Sequence, residues 1–149
     1  KKKNINFLPS NSKNYAKSCK DYENEIKKIK IDIQILGIGK NGHIAFNEPG
    51  SSFKSKTRKV KLSDSTKNSN ANFFISKKTP EYALTMGVSS IMSARKIILL
   101  ANGKNKSKAI KKALTGKITK NVPASFLRRH KDFLFIIDKK AAANLRKDG

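Results

Sequence analysis

The chain has 149 residues, 37% of them hydrophobic, and carries a formal charge of +24 from 34 basic and 10 acidic side chains. This length and apolar content predict one globular domain with its own core and exclude a wholly disordered chain. No apolar run approaches the roughly 20 residues that a membrane-spanning helix needs. The single cysteine, Cys19, excludes an intrachain disulfide and a multi-cysteine metal site and fits a cytoplasmic location.

The basic excess raises the question of nucleic-acid binding. The cations are mostly lysine, whereas arginine is the usual reader of base edges. They are also spread along nearly every segment rather than gathered in one stripe. Polyanion binding therefore stays an alternative that the sequence does not favour.

A short strand, a helix and a second strand are predicted first along the chain. Asn6-Phe7-Leu8, before a proline, is typical of a strand end. Steps of three and four residues then predict one face of a helix, with Cys19 in the core. That face carries Tyr15, Cys19, Tyr22, Ile26 and Ile29. A dense β-branched run predicts a buried strand from Ile31 to Ile38.

Residues 50–79 are polar and show no clear period, which predicts a long excursion from the sheet that serves as a lid. Thr79-Pro80-Glu81 provides an N-cap, a proline in the first turn and an acidic first turn. This pattern predicts a helix, and Leu84, Val88 and Ile91 continue its apolar stripe.

The rest of the chain alternates strands with helices. We predict strands at 96–101 and 132–137, a helix at 105–115, a helical turn at 123–130 and a closing helix at 139–147. Continuous apolar strands alternating with helices indicate an α/β fold with a three-layer, mostly parallel, Rossmann-like sheet and helices on both faces. The absence of repeats and linkers predicts a single domain over residues 1–149.

The stretch GIGKNGHIAFNEPGSS, residues 37–52, begins at the end of the predicted strand, which runs to Ile38. Ligands of open α/β sheets bind at this carboxyl edge. Gly37, Gly39 and Gly42 match the spacing of a dinucleotide-binding loop. That motif also requires a helix starting at the loop, and Pro49-Gly50 would break such a helix within two turns. The spacing therefore does not indicate a dinucleotide site.

His43 and Glu48 are the candidate chemical groups of this loop. Histidine titrates near neutral pH, and a carboxylate can orient it or act as an acid or base itself. Asn41 can accept a hydrogen bond two residues before His43. A packed histidine beside a solvated glutamate is the alternative, and the spacing alone leaves both open.

A resemblance to a known family decides between these readings. GIGKNGHIAFNEPGSSF, continued by KSKTR, resembles the signature of glucosamine-6-phosphate deaminases, of the glucosamine/galactosamine-6-phosphate isomerase family. YALTMGVSSIMSARKIILL and VPASFLRRH are similar to later parts of that family. The related 6-phosphogluconolactonases share the glycine-histidine core but follow it with a different run, so FNEP favours the deaminases.

The resemblance implies an enzyme of amino-sugar catabolism that converts glucosamine 6-phosphate to fructose 6-phosphate and ammonia, without a metal or redox cofactor. His43 matches the histidine that assists ring opening, and Glu48 matches its carboxylate partner. Asn41 stands where many members carry aspartate. Replacing that charge by an amide keeps an acceptor but removes support for an imidazolium.

The resemblance also implies residues that bind the sugar phosphate. Gly37, Gly39 and Gly42 make room for it, and Lys106 matches a phosphate-contacting lysine. Asn72 falls where the family has a phosphate-binding arginine, so we expect weaker binding there, with Lys67 as a candidate substitute. In regulated members an effector site matches Ser51, Ser52 and Arg58, but its lysine is replaced by valine here.

The family has a further N-terminal portion that holds a phosphate loop and the aspartate base for the C2 proton. We expect this chain alone to be impaired, because general base catalysis is worth about 10²–10⁴-fold in rate. The expected partners are a sugar phosphate and either a second copy or the missing N-terminal half, with no membrane. A non-catalytic sugar-phosphate-binding remnant is the alternative.

Overall fold

The computed structural model describes residues 5–9, 11–73 and 79–145. Its regular elements are α1 (Tyr15–Ile29), β1 (Ile33–Gly37), β2 (Arg58–Lys61), α2 (Asp64–Asn70), β3 (Tyr82–Thr85), α3 (Val88–Ile91), β4 (Lys96–Ala101), α4 (Ser107–Thr115) and β5 (Phe133–Ile137). Short 3₁₀ segments cover Ala71–Phe73, Lys104–Lys106 and Pro123–Arg129. Within these ranges, no helix is long and apolar enough to span a bilayer.

The main sheet is parallel, with β4 in the centre between β1 and β5. Ile98 of β4 is the register partner of Ile35 on one side and of Leu134 on the other. β2 and β3 form a separate antiparallel pair. Parallel strands joined through helices confirm the Rossmann-like α/β fold that the sequence predicts.

One face of the main sheet carries the core. Ile97 and Leu99 of β4 are fully buried there, and Leu36 of β1 is nearly so. Ile91 of α3 and Ile110 of α4 belong to the same cluster, as do Ala124 and Leu127 of the 3₁₀ segment. Each fully buried aliphatic side chain of this size stabilises the fold by about 1.5–3 kcal/mol.

The opposite face of the sheet is apolar and exposed. Its side chains keep 44–61% of their surface accessible, and they come from all three strands: Ile33, Ile35, Leu100, Leu134 and Ile136. The described helices therefore leave this face uncovered. The sequence predicts helices on both faces and a fold incomplete relative to the family, whereas the described helices cover one face.

Helix α1 is anchored by polar and apolar groups. The Asn14 side chain accepts a hydrogen bond from the Lys17 amide and caps the helix. Cys19 and Ile26 are buried, so the prediction of a core cysteine is confirmed. Glu23 is also buried and accepts hydrogen bonds from the Thr57 amide at 2.8 Å, the Thr57 hydroxyl and the Ser90 hydroxyl.

Three predicted elements are wrong within the described residues. Residues 82–85 form β3 instead of helix, because pairing with β2 satisfies their backbone groups, as in Arg58↔Thr85. Residues 5–9 form no strand, and residues 139–145 form successive turns. Asp138 starts those turns by accepting from the Ala141 amide. Residues 146 and 147 of the predicted closing helix lie outside the described residues.

The predicted excursion at residues 50–79 contains β2 and α2. Residues 74–78 of this stretch lie outside the described residues. The helix predicted at 105–115 is present as α4, and the helical turn at 123–130 is a 3₁₀ segment.

Replacing Glu23 by alanine removes the acceptor for three buried donors. Because each buried polar group left unsatisfied costs about 1–3 kcal/mol, we expect the free energy of unfolding to fall by at least that amount. Urea unfolding at pH 7 measures the change. Glu25→Ala is the matched control, since its ion pair with Lys28 is exposed and contributes little. Equal effects of the two substitutions would contradict this account.

Candidate active site

The site forms where β1 and β4 end at the same edge of the sheet. Gly37, the last residue of β1, is the register partner of Leu100. The loop after Gly37 and the 3₁₀ segment Lys104–Lys106 therefore leave the sheet side by side. The Lys106 ammonium group donates to the Ile38 carbonyl at 2.7 Å and joins the two.

Gly39 provides the space for the His43 ring. A Cβ atom at Gly39 would lie 2.2 Å from Cε1 of His43, far inside van der Waals contact. The Gly39 amide donates to the His43 carbonyl at 2.9 Å and closes the turn that carries the ring. Any side chain at Gly39 would displace the imidazole.

Gly42 has a different reason to be glycine. Its φ of +89° lies in the left-handed region, which other residues rarely adopt. A Cβ atom there would also lie 2.9 Å from Cγ1 of Val122. The Gly42 carbonyl accepts from the Ala124 amide at 2.9 Å, which ties the loop to the segment Pro123–Arg129.

The Glu48 carboxylate contacts four other side chains of the site. Its Oε2 atom accepts from the Asn41 amide group at 2.8 Å and lies 3.5 Å from Nδ1 of His43. Its Oε1 atom accepts from the Ser63 hydroxyl at 3.0 Å and from the Thr66 hydroxyl. His43 and Glu48 keep 19% and 15% of their side-chain surface, so the pair is largely removed from water.

Asn41 supports Glu48 rather than the imidazole. Its Oδ1 atom accepts from the His43 backbone amide at 3.1 Å, while its Nδ2 atom donates to Glu48. An aspartate at this position would place a second negative charge against the Glu48 oxygen. The Asn41 side-chain amide can donate to the Glu48 carboxylate at 2.8 Å, whereas an ionised aspartate could not.

The pKa values of both groups are lowered. Burial lowers the pKa of His43, and the Lys106 ammonium adds to this, although Glu48 opposes both. For Glu48, burial alone would raise the pKa, but hydrogen bonds from Thr66, Asn41 and Ser63, together with His43, lower it overall. A neutral imidazole beside a carboxylate is the resulting state at neutral pH, suited to accepting and returning a proton.

A cavity of about 310 Å³ lies beside the pair. One wall comes from the loop, with Gly37, Gly39 and His43, and another from α2, with Ser65, Ser69 and Asn70. Lys40 and Lys106 also line it. Burial and the neighbouring charge of Lys40 lower the pKa of Lys106. Two ammonium groups that form no ion pair with any described residue make this a cavity suited to an anion.

The structure brings most of the predicted site residues together. Asn41, Glu48 and His43 belong to one hydrogen-bonded network. The cavity beside this network is lined by Gly37, Gly39 and Lys106. Gly42 does not line the cavity, but its backbone conformation determines the course of the loop. Asn72 lies in the segment Ala71–Phe73, is exposed and does not line this cavity. Lys67 is 2.5 Å from Asp64. The phosphate roles of these last two residues remain predictions.

Sequence reasoning missed Ser63, Thr66 and Lys40. The two hydroxyl groups lie 15 and 18 residues after Glu48, in a stretch without a clear period. Ser63 is the N-cap of α2, a pattern of serine followed by aspartate that the sequence does contain. Lys40 is one of many lysines, and only the fold distinguishes it. No cluster of three metal-ligating His, Cys, Asp or Glu side chains occurs among the described residues.

A buried asparagine fixes the conformation of the loop between His43 and Glu48. Asn47 is fully buried and donates to the carbonyls of Ile44 and Met86 at 3.1 and 2.8 Å. Its Oδ1 atom accepts from Arg58 at 2.9 Å, and Arg58 also reaches Ser51 at 3.3 Å. These contacts fix the residues between His43 and Glu48, so the separation of the pair is set by the backbone.

A parallel α/β sheet with a histidine-carboxylate pair and an anion-suited cavity at its carboxyl edge defines a Rossmann-like protein with a candidate anion-binding active site. The chain belongs to the family of glucosamine-6-phosphate isomerases and 6-phosphogluconolactonases, whose match covers residues 1–135.

Several curated relatives are named glucosamine-6-phosphate deaminase. One from Clostridium botulinum (strain Kyoto / Type A2) is 52% identical over 146 residues, which are 97% of this chain and 60% of the relative. One from Clostridium acetobutylicum is 50% identical over 147 residues, covering 97% of this chain and 61% of the relative. The chain thus spans about three fifths of the length of these relatives.

Solved structures give the same assignment. A monomeric glucosamine-6-phosphate deaminase superposes with a TM-score of 0.94 at 42% identity, covering 97% of this chain and 61% of that one. A 6-phosphogluconolactonase from Trypanosoma cruzi is more distant, with a TM-score of 0.66 at 28% identity over 87% of this chain and 52% of that one.

Substituting alanine at Gly39 should push the His43 ring out of its present position. We expect the imidazole pKa to return toward its ordinary value of about 6.5, because the burial that lowers it is lost. Titration of the ring protons by NMR measures this. Gly37→Ala is the matched control, since a Cβ atom there meets nothing within 4 Å. An unchanged titration in Gly39→Ala would contradict the proposed packing.

The lowered pKa of His43 makes stability depend on pH. The unfolded chain binds a proton at His43 more readily than the folded chain does, so stability is fully present above about pH 6.5. It declines as the pH falls from there through the folded pKa. We expect the unfolding free energy of the wild type to fall relative to His43→Gln across that window. Urea unfolding at several pH values measures it, and a constant difference would contradict the shift.

Proposed function

We propose that this chain provides the ring-opening and phosphate-binding part of a glucosamine-6-phosphate deaminase. The complete reaction would convert glucosamine 6-phosphate to fructose 6-phosphate and ammonia in the catabolism of amino sugars, in the cytoplasm. The single observation that carries the proposal is the largely buried His43–Glu48 pair beside a cavity lined by two lysines that form no ion pair with the described residues. The 52% identity to a curated deaminase supports the choice of substrate.

His43 is the proposed acid-base group for opening the sugar ring. Its lowered pKa keeps the imidazole neutral at neutral pH, so it can take the proton of the C1 hydroxyl as that oxygen becomes a carbonyl. The same proton is then available for the ring oxygen, which becomes the C5 hydroxyl. No proton is gained or lost over this step.

Glu48 is the proposed partner of the imidazole. Its carboxylate stays ionised because Asn41, Ser63 and Thr66 donate to it, and its charge stabilises the imidazolium that forms during proton transfer. In this proposal Asn41 positions Glu48, which makes an aspartate at residue 41 unnecessary.

The lysine pair is the proposed phosphate site. Lys106 and Lys40 line the cavity next to Gly37 and Gly39, where the backbone leaves room for a ligand. An ammonium group acts on a phosphate as a point charge with several donors. A sugar whose phosphate lies between the lysines would extend toward His43 within the same cavity.

Transfer of the C2 proton requires another base. None of the described residues that line the cavity is an aspartate or a glutamate. We therefore assign this step, and the amine release that follows isomerisation, to a site completed by the part of the relatives that this chain does not match. A separate N-terminal half is the proposed partner.

The ammonia assay tests the proposal. We expect the chain alone to release little ammonia from glucosamine 6-phosphate, and the chain supplied with the remaining part of a close relative to release it. His43→Ala should lower the rate of the complemented protein by about 10²-fold or more, as expected for loss of an acid-base group. No release after complementation, or full activity in His43→Ala, would contradict the proposal.

Phosphate recognition can be tested on the chain by itself. Lys106→Ala should weaken binding of fructose 6-phosphate more than tenfold, because a hydrogen bond to a charged group contributes about 1.5–3 kcal/mol. Isothermal titration calorimetry measures the dissociation constant. Lys104→Ala is the matched control in the same 3₁₀ segment, exposed and outside the cavity lining. Equal affinities of the two variants would remove Lys106 from the site.

A sugar-phosphate-binding protein without catalysis is the second candidate. The absence of a carboxylate from the described lining of the cavity supports binding without catalysis. The relatives do not favour polyanion binding, since their names refer to a sugar-phosphate enzyme. Binding of fructose 6-phosphate without ammonia release after complementation would support this second function.

A further inference from the structure

Helix α2 forms one wall of the cavity but has no apolar anchor. Its sequence DSTKNSN contains no aliphatic or aromatic residue. The one buried residue within the helix is Thr66, which is 1% exposed. A helix of seven residues is unstable by itself and depends on tertiary contacts. The contacts of Thr66 therefore hold α2 on the site, together with a hydrogen bond from the Thr79 hydroxyl to the Lys67 carbonyl at 2.9 Å.

The contacts of Thr66 lead to one carboxylate. The Thr66 hydroxyl donates to Oε1 of Glu48, and the Ser63 hydroxyl donates to the same atom at 3.0 Å. Thr66 Oγ1 also lies 3.5 Å from Nδ1 of His43. Leu62, just before the helix, is buried and fixes its start. The body of the helix is thus tied to the site chiefly through Glu48.

The strength of this tie depends on the charge of Glu48. An ionised carboxylate accepts hydrogen bonds about twice as strong as those of a neutral acceptor. Protonation also converts one carboxyl oxygen from an acceptor into a donor, although Oε1 accepts from two hydroxyls and Oε2 accepts from the Asn41 amide. Ser63 accepts from the Thr66 amide at 3.2 Å as the N-cap, so its geometry is fixed.

We infer that Ser63 and Thr66 are positioning residues that latch α2 over the cavity through the Glu48 carboxylate, and that the latch loosens when Glu48 is protonated. The inference rests on the proposed function only in assigning the cavity to a sugar phosphate. Protonation of Glu48 itself would thereby be coupled to opening of the cavity wall that carries Ser65, Ser69 and Asn70.

The charged groups around Glu48 are few. His43 faces it from the same loop, and Arg58 and Lys61 of β2 line a neighbouring cavity that Glu48 also borders. From α2 itself, Asp64 and Lys67 pair with each other. The groups in direct contact with the Glu48 oxygens from α2 are uncharged hydroxyls, so the carboxylate charge controls the contact.

Hydrogen exchange of the α2 amides tests the latch without substrate. The exchange rates are first corrected for the intrinsic pH dependence of amide exchange, and the α2 protection factors are then divided by those of β4. We expect this relative protection of α2 to fall about tenfold as the pH drops through the Glu48 pKa. Glu48→Gln should show low α2 protection without that pH dependence. Thr66→Val should lower α2 protection at every pH by a similar factor, since a hydrogen bond to a charged group is lost.

Thr66→Ser is the matched control because it retains the hydroxyl, and it should restore both the protection and its pH dependence. Wild-type α2 protection that does not change with pH, or a Thr66→Val variant as protected as the wild type, would overturn the inference. If Thr66→Val does not fold, the comparison of wild type with Glu48→Gln still decides.

The outcome is separable from that of the proposed function. A pH-dependent latch without ammonia release after complementation would support the inference and count against the deaminase. Ammonia release after complementation with pH-independent α2 exchange would support the deaminase and contradict the inference.

Discussion

The parallel pairing of β1 with β4 is the constraint on which the site depends. It places Gly37 beside Leu100, so two chain segments leave the sheet together at its carboxyl edge. One carries His43 and Glu48, and the other carries Lys106. The hydrogen bond from Lys106 to the Ile38 carbonyl then holds the two segments at a fixed separation. A shift of one residue in this register would separate the cation from the acid-base pair.

Glu23 and Glu48 are the two largely buried carboxylates among the described residues, and both are stabilised mainly by neutral donors. Glu23 accepts from Thr57 and Ser90, and Glu48 accepts from Asn41, Ser63 and Thr66. Burying a lysine beside either carboxylate would add a second desolvation penalty, which hydroxyl and amide donors avoid. In both cases the negative charge joins segments that are distant in sequence. Glu23 joins α1 to Thr57, the residue before β2, and to α3, and Glu48 joins its loop to α2.

The sequence predicts those parts of this protein whose conformation is determined by neighbouring residues in the chain. The apolar runs at β1, β4 and β5, the spacing within α1 and the glycines around His43 are readable because burial and turn geometry constrain each short stretch. Thr79-Pro80-Glu81 has the pattern of a helix start and therefore predicts helix at β3. The partner strand that decides the conformation of β3 is Arg58–Lys61, which lies far earlier in the chain. α2 has no apolar stripe at all. The contacts of Ser63, Thr66 and Lys40 follow from tertiary structure, so no pattern in the sequence indicates them.

The exposed face of the main sheet affects how the protein behaves at different concentrations. Five exposed aliphatic side chains lie on this face, spread over three adjacent strands. Such a surface favours self-association, and the surrounding positive charge opposes it through repulsion that salt screens. Solubility should therefore decrease as ionic strength rises, and dilute, low-salt buffers are the conditions in which the protein remains dispersed.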